Sequence, residues 1–477
     1  MPGWESLPKL LSAELIQRAE EGCEVNGFAA RIAAALESGD ETQMNILYDE
    51  LAALPLRADF PFSEPSDLET ILAERPSGPR HLSDALTPLQ WSDKFLGAWL
   101  GMCAGCSLGK PLEMGEFMHG AAGNPGWKNV QLWFDAADAW PIGGYAPAQS
   151  PAGKLLGIER LRCEKSHREN IAFMESDDDL RYTVLGLTLL EDKGGNFTTW
   201  EVGRHWHKNL TYGQVCTAET QAYLNFGGVT SHSESWTGQI PPDWQRKIEW
   251  VRTYRNPYRE WIGAQIRADG LAYGAAGSPQ LAAEFAWRDA SLSHVKNGIY
   301  GEMFVAAMIA ADFVEGDPER IVAIGLSEIP KRSRLAADIA QAVRIAQSAH
   351  NQLELVERIW EAFQHYHPVH TNNNAALVAA SLIFAKGDFE KAITTAVLGG
   401  WDTDCNGATV GSTMGALLGA AALPPKWINP LHDTLFAEVI GFHPIAISEC
   451  ARRSQATFQK IRNHPLPSYA HQSRTHP

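Results

Sequence analysis

Two clusters of acidic residues are the part of this sequence most able to do chemistry. The first runs from Glu175 to Asp179 and the second holds Asp402 and Asp404, and each leads into an apolar pattern of helical spacing. One interpretation is helix capping, since carboxylates near a helix N-terminus meet the positive end of its dipole. Adjacent aspartates, however, repel one another unless a cation offsets their charge, and hard divalent cations prefer several carboxylate ligands. We therefore expect the two clusters to converge on a two-metal site.

Glycine recurs at every fourth position in two of the predicted helices. One carries Gly97, Gly101, Gly105 and Gly109, and the other carries Gly407, Gly411, Gly415 and Gly419. Each interior glycine weakens a helix by about 1 kcal/mol relative to alanine, so a run of four on one face needs a compensating contact. Close packing of the two backbones supplies it. With the glycine faces together, in antiparallel or crossing helices, the end of the first helix lies near the start of the second.

Helical periodicity dominates the chain, and convincing alternating strands are lacking. The predicted helices lie at 93–109, 178–191, 280–291, 298–313, 317–326, 334–348, 353–364, 374–385, 388–398 and 405–421. The predicted fold class is therefore all-α, with the helices packed in one large domain instead of a simple bundle.

The first 88 residues differ in pattern from the rest. Three short amphipathic helices are predicted between residues 10 and 54, and a Pro- and Ser-containing stretch follows over 55–86, which we interpret as a linker or a wrapped segment. The predicted division is an N-terminal helical extension and linker over 1–88, a catalytic domain over 89–465 and a C-terminal tail over 466–477.

Composition excludes several classes of protein. Of the 477 residues 45% are hydrophobic and 20% are charged, which is typical of a globular protein. The 40 basic and 56 acidic residues give a net charge of −16, which disfavours non-specific nucleic-acid binding. The odd number of cysteines, seven, and an N-terminal sequence unlike a secretory signal predict a cytoplasmic protein. The uncharged stretch 405–425 is rich in small residues and predicts a buried helix, not a membrane span.

Three separated blocks resemble the ADP-ribosylglycohydrolase family, in the family's order. They are GCSLGKPLE from Gly105 to Glu113, the Ser-Asp-Asp element from Ser176 to Asp178, and GGWDTD from Gly399 to Asp404, which continues to Gly411. The resemblance runs from about residue 91 to about residue 461. It implies an all-α fold with a cleft that holds two Mg²⁺ or Mn²⁺ ions. It also implies an enzyme that cleaves the bond between the ribose anomeric carbon and its leaving group.

The resemblance also implies roles for individual residues. Ser176, Asp177 and Asp178 match the family's first metal-binding element, and Asp402 and Asp404 match the second. Glu113 matches the acidic residue of the opening loop, and either Asp178 or Glu113 would act as the catalytic base.

Two positions depart from the family's pattern. Asp179 stands where the first element commonly ends in threonine, and Cys405 replaces the final threonine of the second. Because a thiol is a poor ligand for Mg²⁺, either water fills the position of Cys405 or the metal preference shifts towards softer ions.

Weaker matches concern the substrate. Ile262 to Arg267 takes the place of the family's loop that approaches the ribose and diphosphate, so Gly263 and Arg267 are candidate substrate-binding residues. His294 matches a family histidine and is either a ligand contact or a core residue. The segments 113–176 and 197–261 hold nine tryptophans, which we interpret mainly as cores of insertions, with one or two at the cleft.

We therefore expect a metal-dependent hydrolase of an N- or O-glycosidic bond, acting on an ADP-ribosylated protein or a small ribosyl metabolite. A two-metal nucleotide phosphohydrolase is one alternative, which would release orthophosphate instead of ribose or ADP-ribose. A non-catalytic ADP-ribose-binding protein on the same fold is the other. The intact carboxylates Asp177, Asp178, Asp402 and Asp404 speak against that second alternative. The sequence leaves open which bond is cleaved and the oligomeric state.

Overall fold

The computed structural model describes residues 3–463, apart from the side chain of Ser235. The predicted tail over 466–477, and the last two residues of the predicted catalytic domain, lie outside the described residues. Over the described range the chain forms 24 α-helices, seven short 3₁₀ helices and one antiparallel pair of two-residue strands, Thr434–Leu435 and Ile445–Ala446. The predicted all-α class is confirmed.

The N-terminal part contains the three predicted helices and one more. Their bounds are α1, Leu7–Glu20; α2, Phe28–Ser38; α3, Glu41–Ala52; and α4, Leu68–Glu74. The fourth lies inside the stretch interpreted as a linker or wrapped segment. Helix α4 has seven residues, of which only Leu68 and Ile71 are buried. Two apolar positions are too few to show a helical period in the sequence. The stretch does wrap the domain, since the indole of Trp287 donates to the Ser66 carbonyl at 3.0 Å.

Twenty further helices follow, and all ten predicted ones are among them with ends shifted by a few residues. They are α5, Pro88–Gly109; α6, Gly115–Met118; α7, Gly126–Ala136; α8, Gly153–Leu156; α9, Asp178–Lys193; α10, Thr199–Asn209; α11, Thr217–Val229; α12, His232–Thr237; α13, Trp244–Thr253; α14, Ala268–Gly274; α15, Pro279–Ala290; α16, Lys296–Asp312; α17, Pro318–Leu326; α18, Arg334–Ser348; α19, Gln352–Phe363; α20, Thr371–Ala385; α21, Phe389–Leu398; α22, Thr403–Leu418; α23, Pro425–Ile428; and α24, Ile447–Asn463. None of the helices in the described range has the length and apolarity needed to cross a bilayer.

Helices α5 and α22 pack antiparallel with their glycine faces together, which confirms the predicted contact. A Cβ atom placed on Gly97 would lie 2.3 Å from the carbonyl oxygen of Gly415, and one on Gly105 would lie 1.9 Å from that of Gly407. No side chain larger than hydrogen fits between backbones this close. At the end of the contact, the Thr403 hydroxyl donates to the Gly109 carbonyl at 2.9 Å. The C-terminus of α5 is thereby fixed against the N-terminus of α22.

The N-terminal extension has a hydrophobic core of its own, built from α1, α2 and α3 against Ala218 and Tyr258. Buried charges join it to the rest of the molecule. The Arg259 guanidinium donates to Glu14 at 2.8 Å and to Glu21 at 2.8 Å, and Gln17 donates to Glu260 at 2.7 Å. The division at residue 88 stays a prediction, but these contacts attach the extension directly to the segment that leads to Gly263.

Candidate metal centre

The acidic side chains converge where α5 ends and α9 and α22 begin. Three groups of three side chains could each hold a metal ion, since the ligand atoms within a group all lie within 4.8 Å of one another. Together the three groups contain five carboxylates and two thiols. The groups are Cys106, Asp177 and Asp179; Asp179, Asp404 and Cys405; and Glu113, Asp402 and Asp404. Asp179 links the first two groups and Asp404 links the last two. The predicted meeting of the two acidic clusters is therefore present.

Asp177 fulfils the capping interpretation. One of its carboxylate oxygens accepts the backbone N–H of Asp179 at 3.0 Å, at the N-terminus of α9, and the other accepts the Lys110 ammonium at 2.5 Å. Burial alone would raise the pKa of Asp177, yet the ammonium and these hydrogen bonds lower it to about 2. Asp177 is thus an ionised carboxylate that accepts a hydrogen bond at each oxygen.

Asp179 is in the opposite situation. It is fully buried, and neither of its carboxylate oxygens has a hydrogen-bond partner. Burial, followed by the neighbouring charge of Asp177, raises its pKa well above the ordinary value. An ionised carboxylate without a partner is very unfavourable in a protein interior, so Asp179 must hold either a proton or a cation.

The second cluster repeats this pattern at the start of α22. Asp402 and Asp404 are 3% and 2% exposed, and each has one carboxylate oxygen without a hydrogen-bond partner. Burial and then Glu113 raise the pKa of Asp404 well above its usual range. Buried, unpaired oxygens from two directions are the donor set that a divalent cation requires, so these residues fit the cation that the sequence predicts.

Glu113 and Asp178 lie at the open side of this centre. Glu113 is accessible to solvent and belongs to the group with Asp402 and Asp404, and burial followed by Asp402 raises the pKa of its carboxyl well above the ordinary value. Asp178 is half-buried and lies in none of the three groups. Burial and then the charge of Asp177 raise the pKa of Asp178 to about 6. A carboxyl that titrates near neutrality beside a cation site is suited to proton transfer.

Ser176 and Cys405 were predicted metal ligands. The hydroxyl of Ser176 accepts a hydrogen bond from the Arg181 guanidinium at 3.1 Å. The Cys405 thiol faces Asp179 and Asp404, because its sulfur lies within 4.8 Å of their ligand atoms. The departure from the family's threonine is therefore located inside the cluster.

The predicted substrate residues form a neighbouring network around Glu219. The Arg267 guanidinium donates to Glu219 at 2.6 Å and to the Gly263 carbonyl at 2.8 Å, and it is only 2% exposed. His294 is fully buried, and its Nδ1 lies 2.8 Å from the Ser293 hydroxyl. A Cβ on Gly263 would lie 2.2 Å from a carboxylate oxygen of Glu219. Arg267 and His294 thus support the loop at Gly263 from inside the protein.

The electrostatic surroundings connect this network to the acidic centre. Burial, opposed in part by Arg267, raises the pKa of Glu219 to about 7, and the charge of Asp178 adds to the rise. The charge of Asp178 is thus a smaller influence on the Glu219 carboxyl than burial and Arg267.

The tryptophans of the two long segments occupy different environments. Trp133, Trp200 and Trp206 are buried core residues, in line with the interpretation as cores of insertions. Trp261 instead stacks on His367 with ring centroids 4.2 Å apart, two residues before Gly263. It is therefore the tryptophan of these segments that we associate with the predicted substrate loop.

Sequence reasoning missed four members of the site region. Lys110 and Cys106 lie within the family-like opening element but carried no assigned role, and Asp179 was noted only as a departure. Glu219 had no signal, since it lies on α11 without a motif.

A cavity of about 480 Å³ between α9 and α10, lined by Asp192, Lys193, Glu201 and His205 among others, contains none of the residues of the acidic centre. The chemistry of the donors, and not cavity size, identifies the candidate site.

Comparison with known proteins identifies the family of this chain. The family model for ADP-ribosylglycohydrolase matches residues 87–456, which is most of the chain, so the chain belongs to the ADP-ribosylglycohydrolase family. Family membership indicates a hydrolase. A solved structure described as an ADP-ribosylglycohydrolase-related protein complex aligns over 78% of this chain and 99% of that one, with 19% identity and a TM-score of 0.46. No curated protein sequence matches the chain.

Proposed function

We propose that this chain is a metal-dependent hydrolase that cleaves an N- or O-glycosidic bond of an ADP-ribosylated protein or a related small ribosyl compound. The observation that carries the proposal is the meeting of buried, unpaired carboxylates with a carboxyl whose pKa is near 6. Asp179, Asp402 and Asp404 offer oxygens to divalent cations, and Asp178 stands next to them. As in the sequence prediction, two ions of Mg²⁺ or Mn²⁺ are proposed.

Divalent cations, when bound, would hold the ribose hydroxyls and favour ionisation of a water. The side chains supply the rest of the chemistry. Asp178 accepts the proton of the attacking water, because it lies at the open side of the centre and in none of the three ligand groups. Glu113, at the accessible edge of the centre, is the alternative base. The surrounding carboxylates favour the positive charge that develops at the anomeric carbon.

The substrate loop is proposed to act through its backbone. Gly263 is partly accessible, and the Glu219 carboxylate fills the space that a side chain on it would occupy. The buried Arg267 and His294 hold the loop in place without touching the substrate. Trp261, stacked on His367 beside this loop, is the tryptophan we propose for the cleft.

The deciding experiment is a substrate panel with Mg²⁺ and with Mn²⁺, read by mass spectrometry of the products. Release of ribose or ADP-ribose supports the proposal, whereas orthophosphate would support the phosphohydrolase alternative. Ligand binding without any product would support a non-catalytic protein. Asp178→Asn should reduce turnover by about a hundredfold or more, as expected for loss of a general base. Because Asp178 also matches the family's metal-binding element, retained metal binding in this variant would show that it acts as a base and not as a ligand. Asp404→Asn should lose both turnover and metal binding.

Two features bear on location and partners. All seven cysteines are free thiols, which suits the reducing cytoplasm that we propose for this protein. The net charge of −16 makes a non-specific nucleic-acid partner unfavourable.

A further inference from the structure

We propose that the Lys110 ammonium neutralises Asp177 in the acidic centre, so that Asp177 has a structural role. Asp179 is then the residue of the first cluster that binds a divalent ion. The inference rests on the proposed function only in that the centre binds divalent cations. It changes the expected ligand set, since Asp177 is the residue that matches the family's metal-binding element and Asp179 is the residue that departs from it.

The first step is that both carboxylate oxygens of Asp177 already accept a hydrogen bond. Its two carboxylate oxygens accept the Lys110 ammonium at 2.5 Å and the Asp179 N–H at 3.0 Å. The pair is enclosed, with side chains that are 14% exposed for Lys110 and 2% exposed for Asp177. A metal ion at Asp177 would have to share these oxygens with the ammonium and lie close to a second positive charge.

The second step is that neither oxygen of Asp179 has a hydrogen-bond partner and that one of them faces the centre. It is fully buried, neither oxygen has a hydrogen-bond partner, and one of them lies within 4.8 Å of ligand atoms of Asp404 and Cys405. This unpaired buried carboxylate requires a cation or a proton, and a cation between the two side chains would also satisfy the unpaired oxygen of Asp404.

The third step concerns the three groups of possible ligands. A divalent ion in the group of Cys106, Asp177 and Asp179 would lie against the Lys110 ammonium, and like charges at such distances repel strongly in a buried site. The other two groups do not contain a residue bonded to Lys110, and they share Asp404. Divalent ions therefore occupy these two groups, and the ammonium takes the place of an ion in the first.

The experiment measures how many Mn²⁺ ions the full-length chain binds, from the EPR signal of free Mn²⁺ during titration. Lys110→Met combined with Asp177→Asn removes the charged pair together. The asparagine side chain can still accept the N–H of Asp179, and the methionine side chain fills the space of the lysine stem. We expect this double variant to bind the wild-type number of ions and Asp179→Asn to bind fewer. Circular dichroism and thermal unfolding without metal check that both variants fold.

The opposite pattern overturns the inference. If the double variant loses an ion, Asp177 is a ligand, and if Asp179→Asn keeps the full number, Asp179 is not one. A wild-type chain that binds no Mn²⁺ overturns the inference together with the metal dependence of the proposed function. A chain that binds Mn²⁺ in the expected pattern but cleaves no ribosyl compound overturns only the proposed function.

A second measurement does not depend on the double variant. Co²⁺ replaces Mn²⁺ in this measurement, because a thiolate bound to Co²⁺ gives a charge-transfer band in the near ultraviolet. If the Lys110 ammonium excludes a metal ion from the group of Cys106, Asp177 and Asp179, an ion bound by Asp179 lies beside Cys405. We expect Cys405→Ser to lose this band and Cys106→Ser, the matched control, to keep it. Loss of the band in Cys106→Ser with retention in Cys405→Ser would show that an ion occupies the group that we assign to Lys110.

Discussion

Gly101 and Gly411 face each other across the contact between α5 and α22, and each excludes a side chain on the other. A Cβ on Gly101 would lie 2.1 Å from the Gly411 carbonyl oxygen, and a Cβ on Gly411 would lie 2.1 Å from the Gly101 carbonyl oxygen. This contact fixes the distance between the two helices whose ends carry Lys110 and Asp404. The geometry of the candidate metal centre therefore depends on residues that contribute no ligand.

Gly101→Ala should be destabilising and should also reduce activity. The methyl group forces the two backbones apart, and overpacking of this kind lowers the free energy of unfolding by about 1–3 kcal/mol. Activity should fall even where the fold survives, because displacement of positioned groups by about 1 Å lowers a rate by about a hundredfold. Urea unfolding and a rate assay test both effects. Gly213→Ala is the matched control, since a Cβ there meets no atom within 4 Å, and equal losses in the two variants would contradict the packing argument.

Arg259→Met should detach the N-terminal extension from the domain. The substitution leaves Glu14 and Glu21 buried without the guanidinium that now lies 2.8 Å from each, and breaking a buried pair in this way lowers stability by about 3–5 kcal/mol. Thermal or urea unfolding measures the loss. In the control Arg31→Met, the ion pair with Glu50 is exposed, with side chains 46% and 42% accessible, and its loss should change stability by less than about 1 kcal/mol. Similar effects from both variants would show that burial does not matter here.

The sequence predicted those features that local patterns encode. The helices follow from apolar spacing, and the contact between α5 and α22 follows from glycines at every fourth position, which no other structural role explains as simply. The acidic clusters could be located because each one directly precedes or opens a helix that the apolar spacing predicts.

Contacts between charges far apart in the chain could not be predicted. Lys110 and Asp177 are separated by 67 residues and Arg259 and Glu14 by 245, and a single sequence contains no pattern that pairs them. Asp179 illustrates a second limit. Comparison with the family marks it as a substitution, and only the packing shows that its oxygens are buried without partners while each oxygen of Asp177 accepts a hydrogen bond.

The metal-free chain should lose stability as the pH rises through the range in which Asp178 titrates. Burial and then Asp177 raise the pKa of this carboxyl from 3.8 to about 6, so the folded chain holds the proton more tightly than the unfolded chain does. The stabilisation is complete below about pH 4 and is lost as the pH passes about 6. Melting temperatures in the presence of a chelator should therefore fall between pH 4 and pH 7 more steeply for the wild type than for Asp178→Asn. Parallel curves for the two proteins would contradict the predicted pKa shift.

Cys405→Thr should strengthen the binding of Mg²⁺. The sulfur lies within 4.8 Å of ligand atoms of Asp179 and Asp404, and a hard cation prefers a hydroxyl oxygen to a thiol. The same change should weaken the binding of softer ions such as Cd²⁺, so the ratio of the two dissociation constants, measured by calorimetry, should shift in favour of Mg²⁺. Cys450→Ser serves as the control, because this buried thiol on α24 lies in none of the ligand groups and its loss should affect stability without changing the ratio. Equal Mg²⁺ affinity in Cys405→Thr and the wild type would show that the Cys405 side chain packs as a small apolar group and leaves ligation to the carboxylates.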